Sequence, residues 1–331
     1  MNNPIVLVTG ATGFLGGRLV EALMQKGYSA RAFARKTSDT SKLRSMGAGI
    51  FFGDVRDIDS LKAAMSTVNT VIHAAADTSG EAGAGRETTV MGTQNAIEAA
   101  VDTGVSQFIY LSSCSVYGIA DCRPGQVIDE SGPLERFPEA RGHYSSAKFE
   151  AEAVVLKAME ERPINVTCLR PGTIWGPGGE TFTPMMGFML GPRIVCIIGS
   201  KDFVLPLVYL DNLVDAVIKC IGNQDAYNQV FNVVDTKKVD KKTYVSKVLK
   251  PLFPGAFFFR VPYWALSAAV GAQEVLYGFL KRKPFLTRYR LVSSQRPVVY
   301  DAGKIGRKLS WNPPVSFNDA VSELLRFEKN K

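Results

Sequence analysis

Two side chains that could transfer a proton lie four residues apart in the stretch YSSAK, where Tyr144 precedes Lys148. The stretch opens a segment with helical periodicity, and residues i and i+4 of a helix project from the same face. A phenol titrates near pH 10 when unperturbed, and a nearby ammonium favours its ionised form and lowers its pKa. The pair therefore predicts a general acid or base with the cation that tunes it, or else a simple surface pair.

A second stretch, TGATGFLG, could hold a phosphorylated cofactor beside that pair. It places Gly10, Gly13 and Gly16 between an apolar strand and a helical segment. A pyrophosphate must approach the N–H groups at a helix N-terminus closely, and a Cβ atom would block that approach. The alternative is an ordinary strand–helix turn, but the strand before and the helix after favour a dinucleotide site.

The elements that would position these groups alternate between apolar strands and helices. Strands are predicted at 4–10, 29–35, 48–55, 69–76, 106–113 and 164–172, and helices at 14–27, 61–66, 88–104 and 144–162. This alternation predicts an α/β fold, a Rossmann-type doubly wound parallel sheet with helices on both faces. In such sheets ligands bind past the carboxyl ends of the strands.

The chain after residue 175 is less regular. Residues 176–205 are rich in Gly, Pro and Met and predict a loop-rich insertion, whereas 207–221 and 227–234 predict a return to the sheet. We therefore expect a dinucleotide-binding domain and a smaller, mixed substrate-binding region towards the C-terminus. The domain comprises 1–175, 206–235 and 298–331, and the substrate-binding region comprises 176–205 and 236–297.

Composition and charge exclude several classes of function. The 331 residues are 46% hydrophobic and 21% charged, which is an ordinary globular composition. The net charge of +8 arises in the second half, because residues 1–150 carry 14 Lys and Arg against 16 Asp and Glu, and residues 151–331 carry 25 against 15. These cations do not interleave with aromatic residues, so we expect no nucleic-acid partner. Two histidines, and five cysteines without a CxxC pair, predict no metal site and reduced thiols, as in a cytoplasmic protein without a signal peptide.

The motifs together resemble the short-chain dehydrogenase/reductase superfamily in its extended branch, the NAD(P)-dependent epimerase/dehydratase family. The resemblance spans nearly the whole chain and is carried by TGATGFLG, GDVRD at 53–57, HAAA at 73–76, SSCSVYG at 112–118, YSSAK, and RPGTIWGPG at 170–178. It implies hydride transfer between a carbinol carbon and a nicotinamide, with Tyr144 as general acid or base. It also implies that Ser113 hydrogen-bonds the substrate oxygen and that Lys148 holds the nicotinamide ribose.

The same resemblance implies a set of cofactor-binding residues around the glycine turn and the strand ends: Gly10, Thr12, Gly13, Phe14, Leu15, Gly16, Arg35, Lys36, Asp54, Val55, Ala74, Ala75, Ala76, Tyr144, Lys148, Pro171, Gly172 and Thr173. A carboxylate at the end of the second strand would bind the ribose 2′-OH and select NAD, but Ala34 stands there. Arg35 and Lys36 follow it, and cations suit a 2′-phosphate. We expect NADP as the cofactor, with NAD possible if both cations are only solvated.

Departures from the sugar-nucleotide members of the family predict an apolar substrate. Those members carry an Asn after the sixth strand and an Arg that grips the diphosphate, whereas this chain has Pro171 and Gly172 at the first position and Leu205 at the second. An apolar side chain cannot replace charge-assisted hydrogen bonds. We expect an oxidoreductase of a secondary alcohol or ketone on a sterol-like or other lipid scaffold, similar to hydroxysteroid and sterol-carboxylate dehydrogenases and less to dihydroflavonol reductases. The alternatives are a nucleotide-sugar epimerase or dehydratase with tightly held NAD, and a dinucleotide-binding sensor without chemistry.

One apolar segment of the second half is flanked by cations. Residues 256–280 contain only Arg260 and Glu274 as charges, and residues 281–308 carry nine Lys and Arg against the single acid Asp301. Pro262 and Glu274 leave too short an apolar run for a transmembrane helix. The segment 256–283 is predicted to lie on a membrane surface or to cover an apolar pocket, unless it is a core helix with a solvated basic tail. A homodimer is compatible with this organisation.

Overall fold

The computed structural model of the protein describes residues 4–78, 83, 85–183, 185–191 and 193–331. In chain order the strands are β1 Ile5–Thr9, β2 Ser29–Ala34, β3 Gly49–Phe52, β4 Thr70–His73, β5 Gln107–Leu111, β6 Val127–Ile128, β7 Asn165–Pro171, β8 Thr173–Trp175, β9 Gly187–Leu190, β10 Ile194–Ile198, β11 Val204–Leu205, β12 Leu207–Tyr209, β13 Gln229–Val233, β14 Val239–Asp240, β15 Phe257–Val261 and β16 Val299–Tyr300. The α-helices are α1 Phe14–Gln25, α2 Ser41–Ser45, α3 Ile58–Met65, α4 Gly92–Asp102, α5 His143–Glu161, α6 Leu210–Cys220, α7 Lys241–Tyr244, α8 Lys250–Leu252, α9 Tyr263–Phe279, α10 Arg288–Gln295, α11 Gly303–Leu309 and α12 Phe317–Lys329. Shorter helical turns of other pitch lie at Arg86–Met91, Cys114–Val116, Pro138–Arg141, Gln224–Ala226 and Val245–Leu249.

Seven strands form one parallel sheet at the centre of the molecule, in the order β13-β7-β5-β4-β1-β2-β3. Each neighbouring pair runs parallel, and Val6 of β1 lies opposite Ala30 of β2 on one side and Thr70 of β4 on the other. The chain winds outwards in one direction from β1 and in the other from β4. The switch point where ligands bind in such folds therefore lies between the carboxyl ends of β1 and β4. This arrangement confirms the predicted doubly wound Rossmann-type sheet.

Alternate side chains of the sheet pack into two separate cores. Val6 and Val8 of β1 lie in the core formed with α1, α6 and α11, whereas Leu7 lies in the core formed with α3, α4 and α5. Successive residues of a strand point to opposite faces, so an all-apolar strand needs helices on both sides. Each fully buried Leu or Val side chain contributes about 1.5–3 kcal/mol to this packing. The strand ends that carry the predicted site are therefore held from both faces.

The C-terminal region adds a smaller mixed sheet with its own core. Strand β10 pairs parallel with β15 and antiparallel with β9. Beside this sheet a third core collects Trp175 of β8, Leu205 of β11, Tyr244 of α7 and Leu324 of α12. The pairs β8–β12, β11–β14 and β6–β16 form three separate two-stranded sheets.

The structure corrects one prediction about the second half and excludes one alternative. Residues 176–205 are not loop-rich throughout, because β9, β10 and β11 lie within them, and the high Gly, Pro and Met content concealed these strands. Residues 256–280 do not form a core helix, because Val270 is the only buried residue of α9. In the ranges given above, no helix has both the length and the apolar character needed to cross a bilayer.

Candidate active site

The glycine turn joins β1 to α1 at the switch point of the sheet. Gly10 has a φ of +67°, and a Cβ atom there would lie 2.8 Å from the backbone nitrogen of Ala75. Only glycine suits such a position. Gly13 is the exposed N-cap of α1 and no side chain caps the helix there, while Thr12 beside it is exposed as well. The first N–H groups of α1, beginning with those of Phe14 and Leu15, are therefore placed to bind an anion such as a pyrophosphate.

The alanine stretch after β4 is held against this turn by a chain of hydrogen bonds. The Thr9 hydroxyl lies 2.9 Å from Nδ1 of His73 and accepts a hydrogen bond from the backbone N–H of Ala75 at 3.3 Å. On the other side of the ring, Nε2 of His73 lies 3.2 Å from the Thr93 hydroxyl. Burial lowers the pKa of His73 to about 3, so the ring is neutral at physiological pH. Its role here is to hold the Ala74–Ala76 segment at the predicted cofactor site.

The predicted adenosine-binding residues lie at the ends of β2 and β3. Arg35 and Lys36 follow β2 and are exposed, and Val55 is buried next to α4. The Asp54 carboxylate accepts hydrogen bonds from Nε and Nη2 of Arg56 at 3.0 and 2.8 Å. These bonds lower the pKa of Asp54, and the positive charge of Arg35 adds to the effect. Arg35 and Asp54 therefore lie at the same edge of the sheet. The hydrogen bonds between Asp54 and Arg56 were not predicted.

The third predicted segment, Pro171 to Thr173, closes the same edge of the sheet at the end of β7. The backbone N–H of Gly172 donates to the carbonyl of Val233 at 3.0 Å, and that of Thr173 donates to Pro206 at 2.6 Å. A Cβ atom on residue 172 would collide with the Pro206 carbonyl. The segment is thus fixed between β13 and β12, on the side of the sheet where the glycine turn lies.

Ser113, Tyr144 and Lys148 meet at the carboxyl end of β5. The Ser113 side chain is near enough to the phenol of Tyr144 to lower its pKa. The Ser113 hydroxyl also accepts a hydrogen bond from the backbone N–H of Ser115 at 3.1 Å. Lys148 lies one turn beyond Tyr144 on α5, is 4% exposed, and donates from Nζ to the carbonyl of Leu111 at 2.7 Å. Three residues predicted from two separate stretches, SSCSVYG and YSSAK, therefore form one cluster.

Burial sets the protonation of this cluster. It lowers the pKa of Lys148 to about 8, while the negative charge of Glu152 acts in the opposite direction. It raises the pKa of the Tyr144 phenol, although the nearby Ser113 side chain lowers it. The residue as a whole is 38% exposed. The shift at Tyr144 is opposite to the one predicted from the YSSAK spacing, and it keeps the phenol protonated at neutral pH.

A buried ion pair behind the cluster was missed by the sequence analysis. Nη2 of Arg170 on β7 donates to Oε1 of Glu152 on α5 at 2.7 Å, and both side chains are buried. Two signals were present in the sequence. Glu152 follows Lys148 by one helical turn, and Arg170 interrupts an otherwise apolar strand. Neither signal identified the other residue as its partner.

Leu205, the predicted departure from an Arg that binds a diphosphate, is an interior residue. It is buried in the third core, where it packs with Trp175, Leu207 and Tyr209. The position therefore offers neither a charge nor a hydrogen-bond donor.

Several known proteins are similar to this chain in sequence or in fold. The profile of the NAD dependent epimerase/dehydratase family matches residues 6–233. The chain is 26% identical to a 4-hydroxy-2-methyl-3-oxo-4-farnesyl-3,4-dihydroquinoline-1-oxide ketoreductase of Stigmatella aurantiaca, over 96% of this chain and 94% of the relative. It is 27% identical to a UDP-glucose 4-epimerase of Vibrio cholerae, over 96% and 93%. It is 32% identical to a 3-beta-hydroxysteroid dehydrogenase of Mycolicibacterium neoaurum, over 64% of this chain and 59% of that protein.

The fold has a close counterpart among solved structures. The crystal structure of gox2253 superposes with a TM-score of 0.82 over 99% of this chain and 98% of that chain, at 24% identity. Such a likeness concerns the architecture alone, and the family match adds the chemistry. The chain belongs to the NAD-dependent epimerase/dehydratase family of extended short-chain dehydrogenases/reductases, whose members are NAD(P)-dependent enzymes that act on CH–OH groups.

Proposed function

We propose that this protein is an NADP-preferring oxidoreductase that interconverts a secondary alcohol and a ketone on an apolar substrate, sterol-like or another lipid. The observation that carries the proposal is the cluster of Ser113, Tyr144 and Lys148 at the strand edge that also holds the glycine turn. A dinucleotide-binding sensor would need the turn but not the three side chains, so the cluster favours an enzyme.

The three side chains have different roles in the proposed reaction. A bound nicotinamide supplies or accepts the hydride. In the direction of reduction Tyr144 donates a proton to the oxygen, and a phenol that burial keeps protonated suits this role. Ser113 hydrogen-bonds the same oxygen. Lys148 uses one of its three ammonium donors on Leu111 and has others for the nicotinamide ribose.

The preference for NADP rests on the end of β2. Ala34 supplies no carboxylate for a ribose 2′-OH, and Arg35 and Lys36 are exposed directly after it. Among the described residues, neither cation has an ion-pair partner within 4.0 Å, so both are available to a 2′-phosphate. We assign cofactor binding to residues 1–175, 206–235 and 298–331, and substrate binding to 176–205 and 236–297.

The preference for an apolar substrate rests on Leu205 and on the absence of a polar side chain at Pro171 and Gly172. Leu205 is part of an apolar core and cannot bind a diphosphate. Two relatives carry names that agree with this assignment, since one is a ketoreductase of a farnesylated dihydroquinoline oxide and the other a 3-beta-hydroxysteroid dehydrogenase.

A second candidate function is nucleotide-sugar epimerisation or dehydration with tightly held NAD. The UDP-glucose 4-epimerase relative, which aligns over 96% of this chain, favours it. The two candidates differ in cofactor balance, because an epimerase regenerates its cofactor in every turnover and a reductase consumes it.

We further propose that α9 and its neighbours make peripheral contact with membranes. The outer face of α9 is apolar along its length: Trp264, Ala268, Ala272, Leu276 and Phe279 are all exposed. Two polar side chains of the helix bind neighbouring segments of the chain instead. Gln273 donates to the carbonyl of Leu286 at 3.0 Å, and Glu274 pairs with Arg288 at 2.7 Å. This is the reverse of a helix that packs on its own protein.

Charge identifies an anionic lipid surface as the partner of this face. Lys281, Arg282 and Lys283 are exposed at the C-terminal end of α9, and Phe285 beyond them is 84% exposed. Two copies of the face packed together would bring like charges together, whereas anionic headgroups attract each cation by about 1 kcal/mol. We therefore propose a cytoplasmic protein that touches membranes through 256–283. A homodimer that uses another surface is a separate proposal, which light scattering would test.

A substrate panel tests the proposed function. Purified protein is incubated with NADPH or NADH and with keto-steroids, other lipid ketones, UDP-glucose and UDP-glucuronic acid, and with Tyr144→Phe as the inactive control. The proposal expects NADPH to be consumed with a lipid ketone only. Conversion of a UDP-sugar without net cofactor consumption would replace it with the second candidate.

A further inference from the structure

The turn that carries Ser113 contacts a buried ion pair between Glu152 and Arg170. The Ser112 hydroxyl donates to Oε2 of Glu152. The Cys114 thiol donates to the carbonyl of Arg170 at 3.3 Å, and Nη1 of Arg170 donates to the Tyr117 hydroxyl at 2.8 Å. Residues before and after Ser113 in the turn therefore contact the two members of the same pair.

The pair joins the helix of Tyr144 to the strand next to the turn. Nε of Arg170 lies 3.1 Å from both carboxylate oxygens of Glu152, and Nη2 lies 2.7 Å from Oε1. Arg170 also donates to the carbonyl of Glu130 at 3.2 Å, and the Tyr117 hydroxyl donates to Asn232 at 2.7 Å. All these groups are buried or partly buried, so the network fixes α5, β7 and β13 relative to one another.

A buried ion pair is an unusual way to stabilise a core. Well-packed apolar residues of similar volume often give equal or greater stability, because they avoid the desolvation of two charges. Stability alone therefore does not account for charges at positions 152 and 170, and their contacts with the Ser113 turn point to a role in the site.

Glu152 also faces Lys148 along the inner side of α5. Tyr144, Lys148 and Glu152 succeed one another at four-residue intervals, so they share one helical face. The other titratable groups around the ammonium are His73 of β4, which is neutral, and Tyr110 of β5, whose ring lies 5.2 Å from Nζ, together with Cys168 and Arg170 of β7. Burial raises the pKa of both Tyr110 and Cys168, so both are uncharged at neutral pH. Among these described neighbours of Lys148, Glu152 is therefore the one that carries a negative charge.

Building on the proposed function, we propose that Glu152, paired with Arg170, is a positioning residue that fixes the Ser113 turn and supplies the negative charge that faces Lys148. It touches neither substrate nor cofactor. Its two effects have separate signatures, because the first concerns geometry at Ser113 and the second concerns the proton on Lys148.

Glu152→Gln tests both effects with almost no change in shape. We expect kcat to fall about tenfold, since a small misplacement of a catalytic group has effects of this size or larger, with the Kd for NADPH within about twofold of the wild type. Without the carboxylate, Lys148 loses its proton at lower pH. Competitive labelling of lysines with acetic anhydride at pH 7, read by mass spectrometry, should then show about three- to tenfold greater reactivity of Lys148. Glu150→Gln, on a different face of α5, is the matched control and should change neither quantity.

A second variant separates positioning from folding. Glu152→Met combined with Arg170→Met removes both charges and leaves apolar side chains, so the fold and its melting temperature should be retained. If the pair positions Ser113, kcat stays about tenfold low in this variant too. Wild-type kcat in the double variant and unchanged Lys148 reactivity in Glu152→Gln would overturn the proposal. The labelling needs no substrate, so failure of this inference is distinguishable from failure of the wild type to reduce any lipid ketone.

Discussion

Helices α5 and α9 are similar in length, but α5 buries charged side chains and α9 exposes aromatic ones. Along α5 the buried residues include the charged Lys148 and Glu152. Along α9 only Val270 is buried, while Trp264 is 74% exposed and Phe279 is 83% exposed. One helix therefore places charges in the interior, and the other places aromatic rings in water.

Buried charges and exposed aromatic rings both depart from the usual pattern of a helix, and each indicates where the interacting groups of these side chains lie. Buried charges are tolerated only when they are paired, and those of α5 find their partners inside the chain, in Arg170 and in the carbonyl of Leu111. Among the described residues, the exposed rings of α9 are left largely uncovered by the rest of the chain, and each forgoes about 1.5–3 kcal/mol of burial. The buried charges of α5 are thus paired within the described part of the chain, whereas the exposed rings of α9 fit the proposed contact with a membrane.

The largest expected effect comes from the phenol of α5. Tyr144→Phe keeps the ring and removes the proton donor, so kcat should fall about 10²- to 10⁴-fold while the Kd for NADPH stays unchanged. Steady-state kinetics and calorimetric titration measure the two quantities. Tyr277→Phe on α9 is the control and should keep full activity. A Tyr144→Phe enzyme with near-normal turnover would remove the mechanism.

The next effect concerns the cofactor end of the same edge. Arg35→Asp removes a partner of the 2′-phosphate and places a carboxylate near the 2′-OH. A charge-assisted hydrogen bond contributes about 1.5–3 kcal/mol, so NADPH affinity should fall about 10- to 100-fold and NADH should become the preferred ligand. Calorimetry with both cofactors measures this, and Lys26→Asp at the far end of α1 controls for net charge. A wild type that prefers NADH would show that Arg35 is only a solvated cation.

The α9 surface should respond in binding and not in chemistry. Trp264→Ser combined with Phe279→Ser should weaken flotation with anionic liposomes about tenfold or more, and high salt should weaken that of the wild type. Thermal stability should be unchanged, because the rings are already in water. Phe327→Ser, which alters a half-exposed ring of α12, is the matched control. A wild type that does not float at low salt contradicts the membrane assignment.

The smallest effect is on stability. The pKa of Lys148 falls from an ordinary value of 10.5 to about 8 on folding, so between these pH values the unfolded chain binds a proton that the folded chain does not. Wild-type stability should therefore rise as pH increases through this window. Lys148→Met should be more stable than the wild type at pH 7 by about 1 kcal/mol after loss of the Leu111 hydrogen bond, and the difference should reverse in sign by pH 10. Denaturant titrations at several pH values measure this, with exposed Lys157→Met as the control. A variant less stable than the wild type at pH 7 would mean that burial of the Lys148 ammonium does not destabilise the folded protein.

Local patterns were enough to predict the parts of the site that depend on neighbours in sequence. The glycine turn and the Tyr144–Lys148 spacing are properties of one turn and one helix. The Glu152–Arg170 pair could not be predicted, because it depends on how β7 lies against α5. The direction in which the pKa of Tyr144 shifts could not be predicted either, because it depends on the packing around the phenol. Strands β9 and β10 were missed because Gly, Pro and Met obscured their apolar pattern, and a helix as uniformly apolar as α9 gives no indication of which face is exposed.

Transfer of deuterium tests the central claim most directly, namely that this edge moves a hydride between a nicotinamide and a carbinol carbon of an apolar molecule. The protein is incubated with NADPH that carries deuterium at both C4 positions and with a keto-steroid, and the product is analysed by mass spectrometry and NMR. The account predicts one deuterium at the new carbinol carbon for each NADPH consumed, and none with Tyr144→Phe. An unlabelled steroid with no loss of NADPH, together with conversion of UDP-glucose by the same preparation, would contradict it.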